Sequence, residues 1–348
     1  MEIKTLTFEA CMMHGQKAVK VEPQSLTYSP QDTVVKVECG GICGSDIHYY
    51  YEGRAGLSVI KHPMTIGHEF VGRIHQAPEG SPLKVGQKVA VNPSQPCNHC
   101  AFCLEGKQNE CPNMRFMGSA QFNPHVGGGF AQYVSVSQAQ CHPYDESVAA
   151  RIMAFAEPTS VAIHAVNVAG SIVGKRVLVI GAGPIGALTM SAAKAAGAAE
   201  VIASDLSERC RSIALEMGAD GSFDPRDAES TERYYRDRGY FDVVFEASGA
   251  QAAVESAVFA TRPNGVIVQI GMGASPVQFP VAQMLAKELS WKGSFRFINE
   301  FATAVAWLEK GIIDPRPIIS AEYDYHQIEE ALIKASDKNV SSKVLVTF

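Results

Sequence analysis

Two textures of apolar and polar positions divide the chain. Up to about Met153, short β-like runs are separated by turn residues: TVVKVECGG (33–41), FVGRIHQA (70–77), QKVAVNP (87–93) and AQYVSVS (131–137). Runs of this length between Gly- and Pro-rich breaks predict a compact, largely β unit. Near Gly174 the period changes. RVLVI (176–180), apolar from Val177 on, is a short run of the kind a buried strand needs, and GAGPIGALTMSAAKAAGA (181–198) continues with helical spacing. EVIASD (200–205), FDVVFEASG (241–249) and GVIVQIG (265–271) read as further strands, with helical SERCRSIALEMGAD (207–220) and QAAVESAVFATR (251–262) between them. Strand and helix in alternation predict a parallel, doubly wound sheet. The closing SSKVLVTF (341–348), after helical FATAVAWLEKG (301–311), reads as a strand returning to the first unit. The expected fold class is α/β: a split β-rich domain over 1–153 and 293–348, with a doubly wound domain over 154–292 inserted in it.

Composition narrows the function. A chain of 348 residues suits two domains, and 46% apolar against 19% charged residues describes an ordinary globular protein. The net charge of −6 gives no long-range attraction to nucleic acid or to an anionic membrane, so neither is an expected partner. MEIKTLTFEA carries no apolar signal core, and the apolar stretch around Gly186 to Ser204 is broken by Lys194 and Glu200. No membrane span is expected, and the cytoplasm is the expected location. The nine cysteines are an odd number, and four crowd into 97–111, which favours metal over disulfides.

The chemistry sits in three places. Gly181, Gly183 and Gly186 form G-x-G-x-x-G between the RVLVI strand and a helix, with Pro184 and Ile185 inside the turn. The first glycine turns the chain, the second admits a pyrophosphate to the backbone, and the third lets helix and strand approach. Asp205 closes the next strand, where a carboxylate accepts from ribose hydroxyls and repels a 2′-phosphate. NAD is therefore the expected coenzyme; Arg209 and Arg211 nearby soften that repulsion and leave NADP possible. Cys97, Cys100, Cys103 and Cys111 have the spacing of a closed, four-thiolate structural zinc site. A more scattered set, Cys43, His68, Glu69 and Glu157, offers mixed ligands for a catalytic zinc with a position left for water or substrate. Around it, Asp46 is expected to accept from the other ring nitrogen of His68, Ser45 to take the substrate proton, and His48 to carry it toward solvent. Ser45 and Asp46 can equally serve as a helix cap.

The segments GGICGSDIH, GHE, AEP and GAGPIG, together with the four-cysteine loop, resemble the zinc-dependent medium-chain dehydrogenases, in particular their polyol dehydrogenase branch. The resemblance covers nearly the whole chain. It implies a chaperonin-10-like catalytic domain with an inserted Rossmann domain, two zinc ions per chain, and hydride transfer between NAD(P) and a secondary alcohol of a small sugar acid or polyol. It implies zinc ligation by Cys43, His68 and Glu69, with Glu157 binding the metal directly or through water. It places Tyr49 and Arg296 at substrate, and Ile185, Asp205, Gly271, Met272, Phe295 and Arg296 at coenzyme. It also implies a homotetramer or homodimer. A sugar acid needs a cationic partner, and Arg296 and Arg115 are the candidates.

Overall fold

The first strand of the protein arises from KTLTFEACMMHG, whose second half alone is apolar enough to bury continuously. Lys4–Gly15 pairs antiparallel with Ala18–Tyr28, from Lys4↔Tyr28 to Gly15↔Ala18, and the turn carries Lys17 at φ 51°. Most of the hairpin's first half is exposed or half-buried, so its apolar signal is weak and no strand is expected there from the sequence. The computed structural model describes residues 3–273 and 276–348.

The chain divides into two units, one comprising Met1–Glu157, Phe301–Lys310 and Ile319–Phe348, the other Pro158–Glu300 and Gly311–Ile318. The first unit is built on a seven-stranded sheet in the order Cys141–Pro143, Lys88–Val91, Glu69–Gln76, Thr33–Gly41, Lys343–Thr347, Ile319–Asp324, with Tyr133–Val136 also paired to Thr33–Gly41. Lys343–Thr347 runs antiparallel to Thr33–Gly41, with Leu345 opposite Gly41. The last strand of the chain thus lies beside the segment that leads to Cys43. Two buried clusters hold the unit together, one around Met13, Ile66, Phe130 and Val344, the other around Val35, Phe70 and Val89.

The second unit is a six-stranded parallel sheet in the order Gly221–Phe223, Glu200–Ser204, Arg176–Ile180, Phe241–Glu246, Thr261–Gln269, Ser290–Gly293. The strand order reverses between Arg176–Ile180 and Phe241–Glu246, and in such sheets ligands bind at the carboxyl ends on either side of that reversal. The expected boundaries shift. The return to the first unit comes at Phe301 and not near 293, because the segment after the strand Ser290–Gly293 stays bonded to the second unit: the Ser294 N–H donates to the Gln269 carbonyl at 2.9 Å, and Glu300 pairs with His164 at 2.9 Å and accepts from Asn167 at 3.0 Å. Gly311–Ile318 groups with the second unit, with the turn Arg316–Ile318 beside the helix Glu208–Glu216. The first crossing falls after Glu157, inside the helix Ala156–Ala169. Ala150–Ala169 is long and apolar enough to cross a membrane by length and composition, contrary to the sequence expectation, but 78% of it is buried inside the protein, as in a core helix.

Candidate active site

Gly44–Glu52 is a short helix whose N-cap is Cys43, held in an extended conformation (φ −90°, ψ 158°). Asp46 occupies the third helical position. One of its oxygens accepts from the Cys43 N–H at 3.0 Å and the other from the Gly67 N–H at 3.2 Å. The hydrogen bond expected from the His68 ring to Asp46 is absent, and among the described residues His68 Nδ1 is buried without a partner. The reason is the capping geometry: a carboxylate at this position turns back onto the N-cap amide. Asp46 thereby fastens the backbone before His68 to the backbone of Cys43.

One ligand atom each from Cys43, His68 and Glu69 lies within 4.8 Å of the others. Thiol, imidazole and carboxylate are donor types suited to zinc. Glu157 is buried, but its carboxylate does not belong to that close group. Burial, and after it the Glu69 carboxylate, pushes the Cys43 thiol up to about 11. Burial likewise pushes the Glu157 carboxyl up to about 8, against the pull of His68. A dication held by such groups would displace their protons.

The sequence reading missed Lys343. Its ammonium donates to both oxygens of Glu69, at 2.7 and 2.6 Å, and to the Ile42 carbonyl at 3.0 Å. Both side chains are almost fully buried, at 4% and 1% exposure. Burial pulls the ammonium down, yet the facing Glu69 carboxylate outweighs it and holds Lys343 above its ordinary value. The available signal was a lysine inside an otherwise apolar closing strand, KVLVT. Space is tight here: a Cβ at Gly41 would collide with Glu69 Oε2.

The remaining residues of this region have distinct surroundings. Ser45 is half-buried one turn before His48, whose side chain is exposed and pairs with Glu52 at 2.7 Å. Tyr49, expected at substrate, is 2% exposed, and its hydroxyl accepts from the Ala120 N–H at 3.0 Å. It braces the segment that follows the four-cysteine loop. Arg115 faces away from the Cys43 cluster. Its neighbour Phe116 packs on His68, with ring centroids 5.4 Å apart, whereas Arg115 lines a polar cavity of about 340 Å³ with Gln24, Ser25, Gln95 and Tyr133. Alternation along the strand Arg115–Phe116 sends the two side chains to opposite faces.

Cys97, Cys100, Cys103 and Cys111 converge, all within 4.8 Å of one another. Cys111 Sγ is 3.5 Å from Cys97 Sγ and 3.9 Å from Cys100 Sγ, and no disulfide forms. Tetrahedral ligation at a Zn–S distance of about 2.3 Å separates sulfurs by about 3.8 Å. The His99 N–H, and after it the Cys100 N–H, draws the Cys97 thiol down to about 6, toward the thiolate a metal needs.

In the second unit, Gly181 turns the chain at φ 90°, Gly183 caps the helix Pro184–Ala195, and a Cβ at Gly186 would collide with the Gly181 carbonyl. Ile185 is half-buried in that turn. Asp205 accepts from the Ala182 N–H at 2.7 Å and the Ser207 N–H at 2.8 Å, so it sits against the turn. Arg211 is committed to the Asp205 carbonyl and to Asp224, while Arg209 is half-buried on the same helix. Gly271 and Met272 follow the strand Thr261–Gln269, with Met272 81% exposed. Phe295 is exposed and lies under the Arg296 guanidinium at 4.8 Å, with Arg296 in the left-handed region at φ 54°.

Residues 29–146 match the family model of the alcohol dehydrogenase GroES-like domain, and residues 184–310 match that of the zinc-binding dehydrogenases. The chain is 46% identical over 348 residues, all of both chains, to L-idonate 5-dehydrogenase (NAD(P)(+)) of Escherichia coli K12. It is 36% identical over 331 residues to a probable D-xylulose reductase A of Emericella nidulans, covering 92% of this chain and 91% of the other. The crystal structure of the E. coli L-idonate 5-dehydrogenase superposes with a TM-score of 0.97 at 45% identity, over the full length of both.

Proposed function

Because the chain belongs to the zinc-binding dehydrogenases that carry an alcohol dehydrogenase GroES-like domain, we propose that it interconverts L-idonate and 5-keto-D-gluconate with NAD(P). The observation that carries the substrate is identity of 46% along the whole chain to an L-idonate 5-dehydrogenase, against 34–36% to the D-xylulose reductases. Cys43, His68 and Glu69 are the proposed holders of a catalytic zinc, with Glu157 acting at longer range, and the four-cysteine loop holds a second, structural ion. When bound, zinc supplies a Lewis acid for the substrate oxygen and the nicotinamide a hydride acceptor. The chain supplies the rest. Lys343 neutralises Glu69, so that the buried carboxylate does not repel a substrate oxygen losing its proton. Ser45 takes that proton and passes it to His48, whose exposed ring delivers it to water. The Gly181–Gly186 turn and Asp205 orient the dinucleotide, and Gly271, Met272 and Phe295 border its reactive end.

With Arg115 turned elsewhere, Arg296 is the proposed partner of the substrate carboxylate. L-Idonate is expected to surpass sorbitol in kcat/KM. Losing a charged hydrogen bond in a desolvated pocket costs roughly 1.5–3 kcal/mol, so Arg296→Gln should lower kcat/KM about ten- to a hundredfold for L-idonate and little for sorbitol. Equal or better turnover of sorbitol by the wild type would replace the sugar-acid assignment with that of a general polyol dehydrogenase.

Coenzyme choice follows from Asp205. NAD is expected to be preferred, because a 2′-phosphate meets its carboxylate. Asp205→Ala should raise the KM for NAD by roughly tenfold, through lost hydrogen bonds, and move the preference toward NADP. A wild type with the higher kcat/KM for NADP would show that Arg209 outweighs Asp205.

A further inference from the structure

Glu246 ends the strand Phe241–Glu246 at the point where the sheet order reverses, and its side chain is wholly buried. Burying a carboxylate without a cation is costly. Among the described residues no lysine or arginine pairs with it; it is surrounded by N–H and O–H donors instead. One oxygen accepts from the Ser248 N–H at 2.8 Å, the Ser248 hydroxyl at 2.6 Å and the Gly249 N–H at 3.0 Å. The other accepts from the Gly249 N–H at 2.9 Å and from the Gln269 amide. Gln269 donates in turn to the Gly271 carbonyl at 2.8 Å, and the Glu246 carbonyl takes the N–H groups of Ile270 and Gly271 at 2.8 and 2.9 Å.

These bonds join two loops. One runs from Ala247 to Gly249, the other from Ile270 to Gly273, and they meet at backbone distance: a Cβ on Gly271 would collide with the Gly249 N–H, and one on Gly249 would stand 2.6 Å from the Gly273 nitrogen. The first loop also touches the glycine turn, since a Cβ on Gly181 would stand 3.1 Å from Ser248. Two loops at the carboxyl ends of adjacent strands therefore share one buried anchor, and the glycine turn of the next strand rests against the first of them. We propose that Glu246 is a positioning residue for the coenzyme: it sets the Gly271–Met272 loop at a fixed offset from the glycine turn, and so sets where the nicotinamide half of the dinucleotide rests. This rests on the dehydrogenase reading above. The adenosine half has a separate hold, in the bonds of Asp205 to Ala182 and Ser207, which do not involve Glu246.

That separation supplies the test. Glutamine keeps the shape of Glu246 but turns an amide N–H₂ onto a ring of donors. In the zinc-loaded full chain, Glu246→Gln should weaken NADH, titrated by its own fluorescence, by at least about tenfold, the equivalent of one misplaced hydrogen bond to a charged group. Affinity for 5′-AMP should stay within about twofold, and KM should rise for the coenzyme but not for the alcohol. Ser248→Ala removes a single donor and should shift NADH binding in the same direction by less, and it carries the test if Glu246→Gln does not fold. Parallel losses of NADH and AMP affinity, or a lower thermal midpoint with NADH affinity unchanged, would make Glu246 a core strut and overturn the proposal. A wild-type chain that binds AMP but not NADH would instead overturn the dehydrogenase reading, and this one with it.

Discussion

Replacing Cys43 by alanine is expected to leave a folded chain that turns over its substrate at least about a thousandfold more slowly, since a Lewis-acid ion contributes several kcal/mol to such a step. Cys43 is the only sulfur in its cluster, and its backbone is held independently of its side chain by Asp46, so the helix Gly44–Glu52 survives the change. Cys100→Ala should act in the opposite sense. A closed four-thiolate site contributes folding energy directly, so this variant should lose thermal stability first and activity only through it. Metal analysis should find two zinc ions in the wild type and one in each variant. A wild type with a single ion, or two variants that fail in the same way, would refute the division of roles.

In protein stripped of its metal, Lys343→Met should lower the stability of the first unit by about 3–5 kcal/mol, because it leaves the Glu69 carboxylate buried without its cation. For a unit of this size that corresponds to a fall in thermal midpoint of roughly 6–20 °C. The folded ammonium titrates above its ordinary value, so its contribution is complete at neutral pH and fades only in strong alkali, as pH rises through that raised value. Adding Glu69→Gln to Lys343→Met should restore part of the loss, since removing both buried charges costs less than removing one. A midpoint within about 2 °C of the wild type for Lys343→Met would show that the pair is solvated and contributes little.

Much of this was legible in the residues, for identifiable reasons. The strands of the parallel sheet announced themselves because both faces are buried: after Arg176, Val177–Ile180 are all apolar and all buried, and the glycine turn that follows bounds the run at strand length. The four cysteines were legible because a closed metal site draws its ligands from one short loop. The Cys43 cluster is assembled from separate segments, and only its resemblance to known dehydrogenases joined it on paper. What stayed hidden depends on long-range pairing. Lys343 meets Glu69 only because the last strand lies beside Thr33–Gly41. Asp46 was assigned to the ring of His68 because spacing says nothing about which way a carboxylate turns, and the helix start decided it. The boundary at 293 fell short because 294–300 carries no strand or helix pattern of its own and is tied to the second unit only by long-range bonds, from Ser294 to Gln269 and between Glu300 and the His164–Asn167 stretch.

The two bonds of Asp46 have a consequence for how the protein lives with its metals. They tie the backbone of Cys43 to that of Gly67 without using any of the side chains that would hold an ion. On the proposed assignment a catalytic ion would be a replaceable part, lost and refilled on a standing frame. On the four-cysteine loop, whose buried cluster is little more than the cysteines with Met114 and Phe116, a structural ion would take the place of a core. One scarce nutrient would thus govern this protein twice over: at one loop its supply decides how many molecules work, and at the other how many last.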